Sequence, residues 1–165
     1  ATRMHVAQAA GSSPIVTAIR NRSETVRPVR PNTICKSLAI GNPADGYYAY
    51  KAVEESRGSA ADPSDEEIIA GMALLAATEG IFTETAGGVT VAAAKRLLET
   101  GVIPRDESVV LSITGNGLKT QEVVGSVLKP PLSIKPTLKS FDAVIAERPD
   151  LGADVVSRAS NTRRG

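Results

Sequence analysis

The residues of this 165-residue chain that could do chemistry gather in two glycine-containing turns. One is Phe82-Thr83-Glu84-Thr85-Ala86-Gly87-Gly88, which runs into a helical pattern. The other is Ser112-Ile113-Thr114-Gly115-Asn116-Gly117-Leu118-Lys119, which follows an apolar run. A turn entering a helix directs free N–H groups and partial positive charge at whatever sits before it. Glycines on both sides of Asn116 let the backbone come close to a ligand or take positive φ. In open parallel sheets, ligands bind beyond the carboxyl ends of strands, where turns of this kind lie. By pattern alone, Thr114-Gly115-Asn116-Gly117 is equally an ordinary tight turn. It is neither a Walker-type phosphate loop nor a dinucleotide fingerprint.

The elements that must position these turns alternate between strand and helix. Met4-His5-Val6-Ala7 reads as a short strand, and Pro14 opens a helix that Ser12 or Ser13 can cap. Residues 21–32 are polar and proline-bearing and read as a surface loop. Ile34 to Ile40 reads as a short strand or turn, and Tyr47 to Ser56 has helical composition. Gly58 to Pro63 reads as a turn. Ser64 with Glu67 makes a capping box that predicts a helix to about Thr78, with a broad apolar face from Ile68, Ile69, Met72, Leu74, Leu75 and Ala76. Ile81-Phe82 is expected to be buried. An alanine-rich helix follows Gly87-Gly88 to about Thr100, with Gly101 as its stop signal. Val109 to Ile113 is the strongest strand pattern in the chain. Thr120 to Val127 and Thr137 to Glu147 read as helices, the first broken by Pro130-Pro131. The expected fold class is therefore α/β, a mostly parallel sheet flanked by helices. Residues 1–156 form the expected domain, and 157–165 a polar tail expected to be disordered.

Composition narrows the partners. A net charge of +1 lacks the basic bias of a nucleic-acid or anionic-membrane binder, and no apolar run is long enough to span a bilayer. Cys35 is the sole cysteine, so no intrachain disulfide forms, and a reducing, cytoplasmic setting is expected. Cys35 itself reads as a small buried hydrophobe. His5 reads as a core or edge residue of its strand. Asp62, Asp65, Glu66 and Glu67 suit a helix start rather than a metal site. Tyr47, Tyr48 and Tyr50 read as packing on one helix, with Tyr47 or Tyr48 able to reach a cleft.

Three stretches occur in order: Ser37-Leu38-Ala39-Ile40-Gly41-Asn42-Pro43-Ala44, Glu79-Gly80-Ile81-Phe82-Thr83-Glu84-Thr85-Ala86-Gly87-Gly88-Val89-Thr90, and Thr114-Gly115-Asn116-Gly117-Leu118-Lys119. Together they resemble the C-terminal half of the threonine synthases, within the fold-type II pyridoxal-phosphate (PLP) enzymes. Gln8 to Val16 resembles the strand-to-helix junction that follows the phosphate-binding loop there. The resemblance spans roughly Met4 to Thr120 and fades from about Ser126. Thr85 stands where many relatives carry Pro, and Gly88 where many carry Ala.

The resemblance implies a place in the large domain of a fold-type II enzyme and a PLP site. Thr114 matches the hydroxyl residue that hydrogen-bonds the pyridine nitrogen, with Gly115 and Asn116 shaping its turn. A neutral hydroxyl at that nitrogen favours ring protonation much less than a carboxylate would. Glu84 matches an acidic position near the ring face, where it orients the ring or its neighbours. Gly41 and Asn42 would lie against the ring or line the cleft. The implied reaction converts O-phospho-L-homoserine and water to L-threonine and phosphate. It needs a Schiff-base lysine and a phosphate loop, both upstream of this chain's first residue in the family. Lys36, Lys51, Lys95, Lys119, Lys129, Lys135 and Lys139 match no such motif and read as solvated, with Lys119 as a turn contact. The chain is thus expected to be an inactive segment that begins inside the fold. Its expected partners are the N-terminal half of the enzyme and further copies of itself. An apolar, open surface is expected toward that half. A threonine dehydratase or cysteate-synthase-like relative is the alternative reaction, although the Asn116-to-Lys119 continuation favours threonine synthase. A non-catalytic module binding a small molecule or partner is the alternative class.

Overall fold

The computed structural model describes residues 2–125 and 132–148. It divides into two units, Ala1–Leu128 and Lys129–Gly165. The first is α/β. It runs β1 (Val6–Ala7), α1 (Pro14–Arg20), α2 (Gly46–Ser56), β2 (Ala60–Ala61), α3 (Asp65–Glu79), α4 (Thr85–Glu99) and α5 (Gln121–Gly125). In the second, α6 (Leu138–Glu147) starts at Thr137, whose hydroxyl accepts from the Ser140 amide. The predicted tail 157–165, Lys129 and Pro130-Pro131 lie outside the described residues.

The sheet is parallel, as expected, but small. Val6 pairs with Ala60 and Ala7 with Ala61. The bonding continues past the named strands: the amides of Val6, Gln8 and Ala10 donate to the carbonyls of Ser59, Ala61 and Pro63. Residues read as a turn therefore contain β2. Two alanines have little strand propensity of their own, so the partner defines the element. Conversely, Val109 to Ile113 forms no strand among the described residues. Val110 is 93% exposed, and the run is tied by the Thr90 hydroxyl, which donates to the Ser112 carbonyl. β-branched residues favour a strand only where a neighbouring strand supplies the ladder. Of the two readings of Ile34 to Ile40, short strand or turn, the structure has the turn, a 3₁₀ turn at Lys36–Leu38.

The start of α1 corrects a second expectation. Neither Ser12 nor Ser13 caps it: Ser13 sits at the cap position without a side-chain cap bond, and the Ser12 hydroxyl is buried without a partner among the described residues. The Gln8 Oε1 atom takes that role, accepting from the amides of Ile15 at 2.9 Å and Val16 at 3.1 Å. By contrast, the α3 capping box is formed as read. Ser64 accepts from the Glu67 amide while Glu67 accepts from the Ser64 amide.

α4 is the centre of the unit. Its buried face meets Ala9, Cys35 and Ile68 on one side and Ala61, Ile103 and the start of the sheet on the other. Gly87 and Gly88 lie inside its first turns rather than before it. α3 buries Ile68, Gly71, Met72 and Leu75, a narrower stripe than predicted, while Leu74 and Ala76 face outward. Where the helices cross, a Cβ on Gly71 would lie 2.6 Å from the Gly88 carbonyl oxygen. A Cβ on Gly88 would lie 2.6 Å from the Ile68 carbonyl oxygen. Arg96 of α4 ties the crossing to its surroundings, donating to the Asp62 carbonyl at 2.9 Å and pairing with Glu67. Arg20 closes on the Asp62 carboxylate. Ile81 and Phe82, expected to be buried, are 46% and 37% exposed. Of the tyrosines, Tyr50 is buried, while Tyr47 and Tyr48 are exposed and stack edge-to-face at 5.4 Å.

His5 links the strands' entry. The Ser59 amide donates to its Nδ1 at 3.1 Å, which requires that nitrogen to be unprotonated. Burial, aided by Arg3 and opposed by Glu107, lowers the His5 pKa below 6.5. A histidine with a depressed folded pKa contributes stability that is complete above its unfolded pKa and is lost as pH falls through the folded value. Unfolding midpoints in urea should therefore drop between neutral pH and about pH 5. His5→Asn, which offers an oxygen acceptor that does not titrate, should flatten that slope. An unchanged slope would remove His5 as its source.

Candidate functional site

The two turns picked out by the sequence meet. Thr83 and Asn116 form an antiparallel bridge. The Gly117 amide donates to the Phe82 carbonyl at 3.0 Å, and the Glu84 amide donates to the Gly115 carbonyl at 3.3 Å. Thr83, fully buried, points its hydroxyl at the carbonyls of Thr114 and Gly115, at 3.4 and 3.3 Å. Gly87 makes room for that hydroxyl, since a Cβ there would lie 2.0 Å from it. Sequence reasoning passed over Thr83. Its only local signal is a hydroxyl four residues before a glycine in the first helical turn.

The 114–119 turn also holds itself. The Asn116 Oδ1 atom accepts from the Leu118 amide at 2.9 Å, and the Lys119 amide donates to the Asn116 carbonyl at 3.1 Å. Gly115 has φ of 74°, a conformation that disfavours any side chain. It is also pressed against Glu84: a Cβ would lie 2.0 Å from Oε1. Thr114, Gly115 and Asn116 are exposed, and the Thr114 hydroxyl makes no hydrogen bond among the described residues. Glu84 is 6% exposed. Its carboxylate stands at the start of α4, where the helix field favours negative charge. Its one ionic partner among the described residues is Lys119 Nζ at 3.7 Å.

Thus the structure brings together four of the six candidate residues: Thr114, Gly115, Asn116 and Glu84. Gly41 and Asn42 are not part of this hydrogen-bonded group. The close approach that makes Gly41 a glycine is to Val29, whose carbonyl oxygen would lie 1.9 Å from a Cβ. Asn42 is exposed. Cys35 is fully buried near Thr85 and Glu84, and its burial pushes the thiol pKa above 9.0. A thiol so held is a poor nucleophile. The acidic cluster is used locally: Asp65 accepts from the Thr33 hydroxyl at 2.6 Å, and Glu66 from the Ser64 hydroxyl at 2.7 Å. Lys36, Lys51 and Lys95 are engaged by the Thr33 carbonyl, Glu55 and Glu99. Lys135 and Lys139 are exposed. A cleft of about 280 Å³ between α3 and α4 is lined by Gly71, Leu74, Ala92, Lys95 and Arg96, and shares no residue with the 114–117 turn.

The model of one family, described as pyridoxal-phosphate dependent enzyme, matches residues 1–115. The chain belongs to the pyridoxal-phosphate dependent enzymes. Among curated proteins, a threonine synthase of Methanocaldococcus jannaschii is 38% identical over 141 residues, which is 85% of this chain and 35% of that protein. A threonine synthase of Methanosarcina acetivorans is 38% identical over 139 residues, covering 84% and 34%. One from Mycobacterium leprae is 35% identical over 146 residues, covering 88% and 38%. The chain spans about a third of the length of these relatives. Among solved structures, a T.th. threonine deaminase overlaps 63% of this chain and 36% of its own, with a TM-score of 0.48 and 15% identity. No helix among the described residues is long and apolar enough to cross a membrane.

The residues present fit one side of the family's cofactor. A pyridine nitrogen needs a hydrogen-bonding group with spare capacity. The Thr114 hydroxyl is exposed, makes no hydrogen bond among the described residues and is carried on a turn whose backbone is fixed by Thr83 and Glu84.

Proposed function

We propose that this chain is a segment of a threonine synthase, carrying the ring-nitrogen side of its PLP site. The parent reaction is conversion of O-phospho-L-homoserine and water to L-threonine and phosphate. The threonine synthases it resembles support the reaction, and the unengaged Thr114 hydroxyl carries the site. When bound, PLP supplies an electron sink for the substrate's carbon skeleton. The chain's own contribution is placement. Thr114 Oγ1 would hold the ring nitrogen, and as a neutral group it would favour protonation there much less than a carboxylate. Asn116 and the glycines keep the turn thin enough for the ring to lie close. Glu84 stands behind the turn rather than in it. The lysine and the phosphate loop belong, on this reading, to the upstream half of the enzyme, and the segment by itself is inactive.

The test is to combine the chain with a polypeptide carrying that upstream half. PLP uptake is followed by absorbance, and phosphate release from O-phospho-L-homoserine is measured. Thr114→Ala should weaken PLP binding about five- to tenfold, the worth of one hydrogen bond, and slow turnover. Thr114→Ser should retain most of both. Equal behaviour of the Ala and native chains would take Thr114 out of the site. A pair that neither holds PLP nor releases phosphate would sink the threonine-synthase reading.

A further inference from the structure

We propose that Lys119 is a positioning residue for this site: with Glu84 it forms a latch that fixes the 114–117 turn and so aims the Thr114 hydroxyl. The inference rests on the reading of Thr114 given above. Glu84 is nearly buried, yet its carboxylate accepts no hydrogen bond within 3.5 Å among the described residues. A carboxylate largely withdrawn from water gains from a nearby cation, and besides the α4 terminus the described residues supply one, the Lys119 ammonium at 3.7 Å. That ammonium comes from the far end of the same turn that carries Thr114.

The geometry makes the pair a clamp rather than a simple surface bridge. At the near end of the turn, the Gly115 carbonyl accepts from the Glu84 amide and the Thr83 hydroxyl. In the middle, the Gly115 Cα rests on the Glu84 carboxylate, with no space for a Cβ. At the far end, the Lys119 side chain reaches back to the same carboxylate. One residue, Glu84, thus touches the turn by backbone, by van der Waals contact and by charge. Lys119 is itself 65% exposed, so its pairing is not forced by packing. An exposed lysine whose partner is 8% exposed differs from Lys95–Glu99, where both side chains are more than half exposed. Without Lys119, the Glu84 carboxylate would turn toward water or toward another cation, and its contact with Gly115 would move with it.

Two measurements test this independently. In the chain without cofactor, Lys119→Met should shift the NMR amide resonances of Thr114 and Gly115, whereas Lys95→Met should leave them in place. Unmoved resonances in Lys119→Met would overturn the latch whatever the chain binds. In the chain paired with its upstream half, Lys119→Met should raise the PLP dissociation constant roughly tenfold, comparable to loss of one positioned hydrogen bond. Lys119→Arg should restore most of it. The double variant Thr114→Ala/Lys119→Met should bind PLP no more weakly than Thr114→Ala alone, because Lys119 acts through Thr114. Additive losses, or a lowered melting temperature with unchanged PLP affinity, would reduce Lys119 to a structural role. If the native pair takes up no PLP, the functional reading fails, and the latch as a cofactor-positioning device fails with it, whatever the resonances show.

Discussion

Gly88→Val should destabilise the first unit by about 3 kcal/mol, the upper part of the range for overpacking a core. The Cβ alone would stand 2.6 Å from the Ile68 carbonyl oxygen and 2.6 Å from Met72 Cγ. Met72 is an unbranched side chain and can give way. The Ile68 carbonyl belongs to the α3 backbone and cannot move without moving the helix. The contact is reciprocal, since a Cβ on Gly71 would strike the Gly88 carbonyl. α3 and α4 therefore meet backbone to backbone, and separating them would also open the contacts of Ile68, Ala86 and Val89. Valine's poorer helix propensity is smaller than this, and it replaces a glycine that is poorer still. Urea unfolding provides the measure, with Gly125→Ala as a control because no atom of the described residues lies within 4 Å of a Cβ there. A native-like midpoint for Gly88→Val would mean the helices do not cross this closely.

Gly115→Ala should lower PLP affinity at least about thirtyfold, or about 2 kcal/mol. Two effects add. A side chain at φ of 74° is strained, and the new Cβ would lie 2.0 Å from Glu84 Oε1. Rotating the turn relieves both, but it breaks the bonds from the Glu84 amide and the Thr83 hydroxyl to the Gly115 carbonyl. Either route displaces Thr114. Adding Glu84→Ala should recover none of the loss, because it removes the collision but leaves the strain and also removes the carboxylate that pairs with Lys119. PLP titration of the paired halves reads both changes. Native affinity in Gly115→Ala would separate this glycine from the cofactor's surroundings.

What the sequence made legible was what its neighbours in sequence determine. The α3 capping box needs four consecutive residues and no tertiary partner, and it is present as read. Gly101 just after α4, with φ of 72°, is a local signal of the same kind. The misread elements depend on distant partners. The Gln8 cap is an exception, lying only seven and eight residues before the amides it accepts from but outside the position where a cap is normally sought. Ala60-Ala61 is a strand because Val6-Ala7 lies beside it. Val109 to Ile113 carries the side chains of a strand without, among the described residues, the neighbour that makes one. At the site, the turn at Thr114 and the place of Glu84 came from resemblance and from glycine spacing. The roles of Thr83 and Lys119 depend on contacts across the fold that no short window contains.

The Gln8 cap also bears on the order in which the molecule can assemble. α1 is only seven residues long, too short to persist alone in water. Its first amides are satisfied by Gln8, whose own amide is satisfied by Ala61. The segment carrying Gln8 meets its partner across a long stretch of chain, His5 lying 54 residues from Ser59. Closing such a loop costs entropy before any bond offsets it, whereas α3 and α4 are adjacent in the chain and can pack at once. The helical crossing is thus the natural nucleus. Strand and α1 arrive afterward as one unit, so the stretch through Arg20 should be the last to join and the first to open.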